Sequence, residues 1–266
     1  MTDHDEVDLD SGPDPADFAA ADPEPDWTDG ADPAVRAVGI GPGAAEFLTP
    51  RGREAIRSAD VVIGFETVLD YVADAATGET LACGYRDEAA TLATFADRIA
   101  DGATGVAVLM GDPNHSGYQF VGKVQRAVAD ALEADDDRSP VQVVPGISSL
   151  QVAASRARTP MEATTFVTLH KSGPLDDDLE RLRADAGERH LLVLPRPYDW
   201  MPGDVAAHLI EAGADPDATA LVLEKLTHDD ETVTHLSLGA LADEAGGDEP
   251  EDSRFSDLSV LAVRRP

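Results

Sequence analysis

Short apolar runs that each end in a loop of small or polar residues recur along this chain, with helical segments between them. Residues 35–40 lead into a glycine turn, residues 105–110 lead into Gly-Asp-Pro at 111–113, and residues 141–144 lead into Pro145 and Gly146. Strands that alternate with helices in this way are typical of a parallel sheet covered by helices. Because the carboxyl ends of such strands share one edge, where α/β proteins bind ligands, the pattern also predicts where a site lies.

Two α/β domains are predicted, at 34–150 and 151–266, after a tail over residues 1–33. In the first domain we expect strands at 35–40, 60–64, 105–110 and 141–144, and helices at 48–59, 67–75, 89–101 and 117–132. A small-residue helix at 148–158 leads to strands at 165–169, 190–194, 220–223, 231–236 and 258–263, with helices near 175–186 and 203–212. Polar and apolar residues alternate over 231–236, which favours a late meander and a more mixed second domain.

The first 33 residues have a composition of their own. They contain twelve Asp or Glu residues, five prolines and no Lys or Arg. Such a segment buries too little apolar surface to offset the entropy of ordering it. We therefore expect a disordered, acidic, solvating tail rather than a binding arm.

The charge of the whole chain is strongly negative. Twenty basic residues, only three of them lysines, stand against 52 acidic residues and give a net charge of −32. A surface of this charge repels phosphate backbones, so neither nucleic acid nor an anionic membrane is expected as a partner. Concentrated salt would screen the self-repulsion, so the acid excess and lysine shortage are typical of a halophilic protein.

Several other classes of site are not expected. The single cysteine, Cys83, excludes an internal disulfide and a multi-thiolate metal centre, and the seven histidines lack metal-ligand spacing. No nucleophile elbow or Walker phosphate loop occurs. Without a basic stretch before an apolar run at the amino terminus, or 18 consecutive apolar residues, we expect a soluble, cytoplasmic protein.

The three loops at strand ends each have a functional and a structural interpretation. The turn 39–43 lacks the spacing of a dinucleotide fingerprint, because Pro42 interrupts it. Asp112 could accept a hydrogen bond from an ammonium or a ribose hydroxyl, or it could be the N-cap of the next helix. Ser148 and Ser149 could bind a polar ligand edge, or they could cap the helix that follows them.

Together these residues resemble a known family. Val-Gly-Ile-Gly-Pro-Gly at 38–43 followed by Phe-Leu-Thr-Pro at 47–50 resembles the opening of the tetrapyrrole methylases, and the segments 111–113 and 144–149 resemble their second and third loops. Within the family, 145–152, 167–170 and 223–232 are most similar to the cobalt-precorrin-7 C5-methyltransferases of cobalamin biosynthesis. The resemblance covers about residues 35–266.

This resemblance implies a two-domain tetrapyrrole methylase (class III methyltransferase) fold, with S-adenosylmethionine in the cleft between the domains and, usually, a homodimer. The residues that it places at the cofactor are Pro42, Met110, Gly111, Asp112, Ser148, Ser149, Leu194 and Leu226. The residues that it places toward the tetrapyrrole substrate are Gly41, Pro42, Gly43, His115, Tyr118 and His170. No catalytic side chain is implied, because a sulfonium methyl is already activated and alignment carries most of the acceleration.

The chain departs from the family pattern near the substrate, at Asn114–Tyr118 and at 170–173. Three alternatives therefore stay open. The chain could methylate a different precorrin carbon, it could act as a diphthine synthase-like methylase of the same fold, or it could be a non-catalytic nucleotide-binding or interaction domain.

Overall fold

The computed structural model describes residues 14–24, 33–84, 86–132, 140–197, 199–246 and 253–266. The chain divides into two compact units, Met1–Ile147 and Ser148–Pro266. Each unit contains one five-stranded sheet with helices between its strands, so both are α/β, as the alternation of elements predicts. The division falls at the start of the small-residue helix expected between the domains.

The first sheet is parallel throughout. It consists of β1 (Val35–Gly39), β2 (Val61–Phe65), β3 (Glu79–Cys83), β4 (Gly105–Leu109) and β5 (Val141–Val144). The strand order is β3-β2-β4-β1-β5, so that β1 lies between β4 and β5. All carboxyl ends therefore lie at one edge, and the loops after β4, β1 and β5 are neighbours there.

Helices connect these strands. They are α2 (Pro50–Ser58), α3 (Glu66–Asp70), α4 (Glu88–Ala100) and α5 (Tyr118–Leu132). α2 begins two residues later than expected: the Thr49 hydroxyl, at the N-cap, accepts a hydrogen bond from the Gly52 amide at 3.1 Å, and Pro50 occupies the first turn. One apolar face of α4 is buried, and it consists of Leu92, Phe95, Ala96 and Ile99.

Side chains that alternate along the strands build a core on each face of this sheet. Val61 and Ile63 of β2 pack with residues of α4 and α5, whereas Val62, between them, packs with residues of α2. Cys83 ends β3 inside the first of these cores. Burial, followed by the charges of Glu88 and Asp87, raises the pKa of the Cys83 thiol to about 12.

The expectation of disorder over residues 1–33 is wrong for residues 14–24. A short helix, α1 (Pro15–Ala19), packs against α5. Gly122 permits the contact, because a Cβ atom at that position would lie 1.8 Å from the Pro15 carbonyl oxygen. Composition showed that the segment is polar. It could not show that the segment packs on α5, because α5 lies about 100 residues further along the chain. Residues 1–13 and 25–32 lie outside the described residues.

The second sheet is mixed. Its strands are β6 (Thr164–Thr168), β7 (His190–Leu194), β8 (Thr219–Glu224), β9 (Thr232–Ser237) and β10 (Ser259–Val263), in the order β6-β7-β10-β8-β9. β6 and β7 are parallel, whereas β10 is antiparallel to both β7 and β8, and β8 is antiparallel to β9. The expected late meander is wrong: β8 and β9 form an antiparallel hairpin, but β10 pairs with β8 rather than with β9. β6, β7 and β8 run in the same direction, so their carboxyl ends share an edge.

The helices of the second unit are α6 (Ser149–Ala157), α7 (Asp176–Asp185), α8 (Pro202–Glu211) and α9 (Leu238–Ala242). Leu179 and Leu182 of α7, with Val205 and Leu209 of α8, pack on the sheet in one apolar core. This core consists only of residues of the second unit.

One strand was not predicted. β3 has three exposed residues among its five and lies at an edge of its sheet, so it lacks the apolar run by which the other strands were identified. The acidic stretch at 133–139 lies outside the described residues. Among the described helices, none is both long enough and apolar enough to cross a membrane.

Candidate functional site

The carboxyl edge of the first sheet brings together most of the predicted site residues of the first unit. Gly41, Pro42 and Gly43 follow β1, and Met110, Gly111 and Asp112 follow β4. The third loop, at 145–147, follows β5. Because β1 separates β4 from β5, the three loops meet over the end of β1.

Glycines let these three loops pack backbone against backbone. A Cβ atom on Gly39, the last residue of β1, would lie 2.6 Å from the Gly111 carbonyl oxygen and 2.7 Å from the Gly146 nitrogen. A Cβ atom on Gly146 would lie only 2.2 Å from the same Gly111 oxygen. No side chain fits at either place, so the surface of this edge is largely backbone.

Hydrogen bonds tie the first loop to the second. The Gly111 amide donates to the Gly41 carbonyl at 2.8 Å, and the Gly41 amide donates to the Gly111 carbonyl at 3.2 Å. Both glycines have a positive φ, 91° for Gly41 and 68° for Gly111, which other residues adopt at a cost. The pair extends the β1–β4 pairing by one antiparallel bridge beyond the strand ends.

The Asp112 carboxylate ties the second loop to the third. Its Oδ2 atom accepts a hydrogen bond from the Gly146 amide at 2.9 Å, and its Oδ1 atom accepts from the backbone and side-chain nitrogens of Asn114, at 2.9 and 3.0 Å. Asp112 is 7% exposed. The alternative that it caps the next helix is wrong, because α5 begins six residues later, at Tyr118.

Two predicted substrate-facing residues follow Asp112. His115 is half-buried in the turn after β4, and its amide donates to the Asp112 carbonyl at 3.0 Å. Tyr118 is the first residue of α5 and is half-buried against the core of the first unit. Part of each side chain is left accessible.

Ser148 and Ser149 lie at the start of α6, in the second unit. The Ser148 hydroxyl accepts a hydrogen bond from the Leu150 amide at 3.1 Å, while the Ser148 amide donates to Gln151 Oε1 at 2.8 Å. This is a capping box, so the capping interpretation of Ser148 is confirmed. Ser149 is half-buried in the first turn.

The shared carboxyl edge of β6, β7 and β8 brings together the other predicted residues of the second unit. His170 is exposed beyond β6, Leu194 is half-buried at the end of β7, and Leu226 is buried two residues after β8. Lys225 and Thr227, on either side of Leu226, have φ values of 49° and 72°. Such angles are uncommon for residues other than glycine, and in a β-branched residue they mark local strain.

Ion pairs hold this strained loop. Glu231 accepts a hydrogen bond from the Thr227 amide at 2.7 Å and forms an ion pair with Arg156 of α6 at 2.9 Å. The hydrogen bond from Arg156 is the main reason why the pKa of the Glu231 carboxyl is lowered. Sequence reasoning did not single out Arg156, because 75 residues separate it from its partner.

One groove does not coincide with the predicted residues. An open groove of about 650 Å³ in the second unit is lined by Gln151, Ala154, Ser155, Arg158, Thr159, Pro160 and Met161. None of these belongs to the predicted site, so the groove is not assigned to it. No cluster of His, Cys, Asp or Glu suited to a metal ion occurs in the part of the chain that the structure describes.

Comparisons with known proteins agree on one family. The family model described as "Tetrapyrrole (Corrin/Porphyrin) Methylases" matches residues 34–242. The chain is 29% identical, over 225 residues, to a "Probable cobalt-precorrin-7 C(5)-methyltransferase" of Methanocaldococcus jannaschii, and the match covers 84% of this chain and 94% of that protein.

Solved structures show the same fold. A cobalt precorrin-4 methyltransferase has a TM-score of 0.65 at 20% identity, with 87% of this chain and 95% of that chain covered. A uroporphyrin-III C-methyltransferase of Thermus thermophilus, complexed with S-adenosylhomocysteine, has a TM-score of 0.63 at 23% identity, covering 86% and 91%. The predicted class III methyltransferase fold is confirmed.

Proposed function

The chain belongs to the tetrapyrrole (corrin/porphyrin) methylase family, and from this premise we propose that it methylates carbon 5 of cobalt-precorrin-7. As a member, it is a methyltransferase that uses S-adenosylmethionine. The observation that carries the choice of substrate is the similarity to the probable cobalt-precorrin-7 C5-methyltransferase of M. jannaschii, which extends along nearly the whole of both chains. The reaction would then be a step of cobalamin biosynthesis.

The loops at the carboxyl edge of the first sheet fit this cofactor chemically. Within the described part of the chain, the backbone amides of Asp112 and Ile147 donate no hydrogen bond to another residue. Such donors suit a carboxylate or the ring nitrogens of an adenine. We assign Pro42, Met110, Gly111 and the backbone of Asp112 to the cofactor.

We assign residues of the second unit to the same cofactor. Ser149, Leu194 and Leu226 supply a hydroxyl and two apolar side chains, which suit a nucleoside, and Ser148 holds the helix start that presents Ser149. The strain at Lys225 and Thr227 supports a functional role for the loop that carries Leu226, since strained backbone concentrates at binding sites.

The bond between the substrate carbon and the sulfonium methyl can form without a base from this chain, and a base is needed only for the proton that the substrate loses afterwards. Bound S-adenosylmethionine supplies a methyl group that its sulfonium already activates. The Asp112 carboxylate is occupied by three N–H groups, so it is not placed to remove a proton from the substrate. The residues assigned here bind and orient the two reactants, and alignment of this kind can supply most of the acceleration.

We assign the tetrapyrrole to Gly41, Pro42, Gly43, His115, Tyr118 and His170. The two histidines and the tyrosine could donate or accept hydrogen bonds at the acidic side chains of a tetrapyrrole. We also propose a homodimer working in a salt-rich cytoplasm without nucleic-acid partners, which the family resemblance and the net charge of −32 support.

The test is to incubate the purified chain, in molar potassium chloride, with cobalt-precorrin-7 and S-adenosylmethionine carrying a carbon-13 methyl group. We expect one labelled methyl group at carbon 5 in the NMR spectrum of the product, and its suppression by excess S-adenosylhomocysteine. A label at another carbon would overturn the choice of substrate position. Calorimetry that detects no binding of S-adenosylmethionine would indicate an interaction domain instead.

A further inference from the structure

We propose that the Asp112 side chain is a positioning residue: its carboxylate fixes the third loop against the second, so that both present their backbone amides to the cofactor. The inference deepens the proposed function and depends on it. In this arrangement the Asp112 carboxylate binds the Gly146 amide, and the backbone amide of Asp112 binds the cofactor.

The strand order explains why a side chain is needed at this place. β4 and β5 are not neighbours, because β1 lies between them, so no ladder of backbone hydrogen bonds can join their ends. The loops after β1 and β4 already share two backbone hydrogen bonds, between Gly41 and Gly111. The loop after β5 has the 2.9 Å hydrogen bond from the Gly146 amide to Asp112 Oδ2 instead.

The local packing makes this hydrogen bond possible. Gly39 ends β1 directly beneath the contact, and a side chain there would collide with both Gly111 and Gly146. The missing side chain allows the carboxylate to reach across the end of β1. Asn114 holds the other carboxylate oxygen through two N–H groups, which fixes the orientation of the carboxylate.

Gly146 immediately precedes Ile147, whose amide donates no hydrogen bond to another residue in the described part of the chain. Moving the Gly146 peptide would therefore move this donor as well. A carboxylate with only acceptor atoms suits its three donors, whereas an asparagine would place its own NH₂ group against one of them. Asp112→Asn is thus nearly isosteric but cannot keep every hydrogen bond.

The chain contains a matched control at the opposite edge of the same sheet. Asp60, just before β2, accepts hydrogen bonds from the backbone and the hydroxyl of Thr104, at 2.9 and 2.8 Å. It also joins two loops through a carboxylate, but at the amino ends of the strands. Asp60→Asn therefore removes the negative charge from a loop-joining carboxylate where no ligand is proposed, while its amide oxygen can still accept both hydrogen bonds from Thr104.

The experiment compares wild type, Asp112→Asn and Asp60→Asn, with circular dichroism to establish folding. Hydrogen–deuterium exchange of the ligand-free proteins reports the segment 145–148, and calorimetry reports the affinity for S-adenosylhomocysteine. We expect Asp112→Asn to speed exchange in that segment and to weaken binding about tenfold to a hundredfold, as for loss of a hydrogen bond to a charged group. We expect Asp60→Asn to change neither. Asp112→Ser, too short to reach Gly146, replaces the asparagine variant if that variant does not fold.

Four outcomes would overturn the inference. Unchanged exchange at 145–148 in Asp112→Asn would show that the carboxylate does not hold the loop. Faster exchange with unchanged affinity would show that the position of the loop does not matter for binding. An equal loss of affinity in Asp60→Asn would reduce the effect to the loss of one negative charge. If the wild type binds no S-adenosylhomocysteine, the proposed function fails first, and the exchange result separates that failure from a failure of the hydrogen bond.

Discussion

The two units build the carboxyl edges of their sheets in different ways. In the first unit, glycine backbones pack directly on one another, and a single carboxylate completes the contact between Asp112 and Gly146. In the second unit, non-glycine residues with left-handed backbone angles are held by ion pairs, with Arg156 and Glu231 at the centre. The carboxyl edge of the first sheet therefore depends on the absence of side chains, whereas that of the second sheet depends on charged side chains.

This difference predicts different sensitivities. A steric contact between backbones does not respond to pH or salt, but one methyl group can disrupt it. A partly exposed ion pair tolerates changes of shape, but it weakens when its charges are screened or neutralised.

We expect Gly146→Ala to be the most damaging single substitution. Its methyl group would lie 2.2 Å from the Gly111 carbonyl oxygen, a backbone atom that cannot move aside, and the loss should reach about 3 kcal/mol or more. Gly173→Ala in the second unit is the control, because nothing lies within 4 Å and only its φ of 91° opposes the substitution, at about 1–2 kcal/mol. Urea unfolding measures both, and equal losses would refute the contrast.

We expect Glu231→Gln to destabilise the second unit by about 1 kcal/mol. The substitution weakens the hydrogen bond that the strained Thr227 amide donates and removes the ion pair with Arg156, which is itself partly exposed. The control is Arg57→Gln, which breaks the exposed pair with Glu54 in the first unit and should change stability by about 0.3–0.5 kcal/mol. If the two variants lose the same amount at low salt, the loop does not depend on its ion pair.

We expect the second unit to lose stability in mild acid through His190. Burial lowers the pKa of this imidazole, and the charges of Arg265 and Arg264 lower it further. Because the folded pKa lies below the ordinary value of about 6.5, the unfolded chain binds more protons between the two values. The unfolding free energy is therefore at its full value above pH 6.5 or so, and it falls as the pH drops below that point.

Tryptophan fluorescence can follow this transition in the second unit. The chain has two tryptophans, so a Trp27→Phe background leaves Trp200, which packs against the core of the second unit. His190→Gln should reduce the pH dependence without abolishing it, since burial also lowers the pKa of His208. His235→Gln, at an exposed position on β9, is the control. If the unfolding free energy of His190→Gln depends on pH as that of the parent protein does, His190 is not the cause of the loss of stability in acid.

The smallest effect on stability is expected from Gly122→Ala. The added Cβ atom would lie 1.8 Å from the Pro15 carbonyl oxygen and should release residues 14–24 from α5, while alanine favours the helix itself by about 0.5–1 kcal/mol. Limited proteolysis should cut the released segment faster, with Gly213→Ala as a control in the second unit. An equal cleavage rate in the two variants would refute the role of Gly122.

We also expect methyl transfer, measured with the carbon-13 label, to survive deletion of residues 1–33.

How well the sequence predicted each element depended on whether its signal is local. β5 and β7 have the predicted limits, because each is a compact apolar run with a clear end. α1 was missed because its stability depends on Gly122, more than 100 residues away. β3 was missed because an exposed edge strand needs few apolar residues.

The same distinction applies to the site. The loops after β1, β4 and β5 were identified from the glycine, proline and polar residues that follow three apolar runs. The partner of the Asp112 carboxylate was not, because Gly146 comes near it only when β1 takes its place between β4 and β5. Residue types predicted where the three loops lie, and the topology decided which of their residues contact one another.

The central position of β1 has a consequence for synthesis on the ribosome. Val35 leaves the ribosome before both of its partners, because it pairs with Gly105 on one side and Val141 on the other. Until most of the first unit has been translated, this apolar strand therefore has two unpaired edges. A nascent chain paused within α4 would expose both, a state that favours association with other chains and recognition by chaperones. The rate of elongation between codons 40 and 144 should therefore affect the yield of folded protein more than the rate after them.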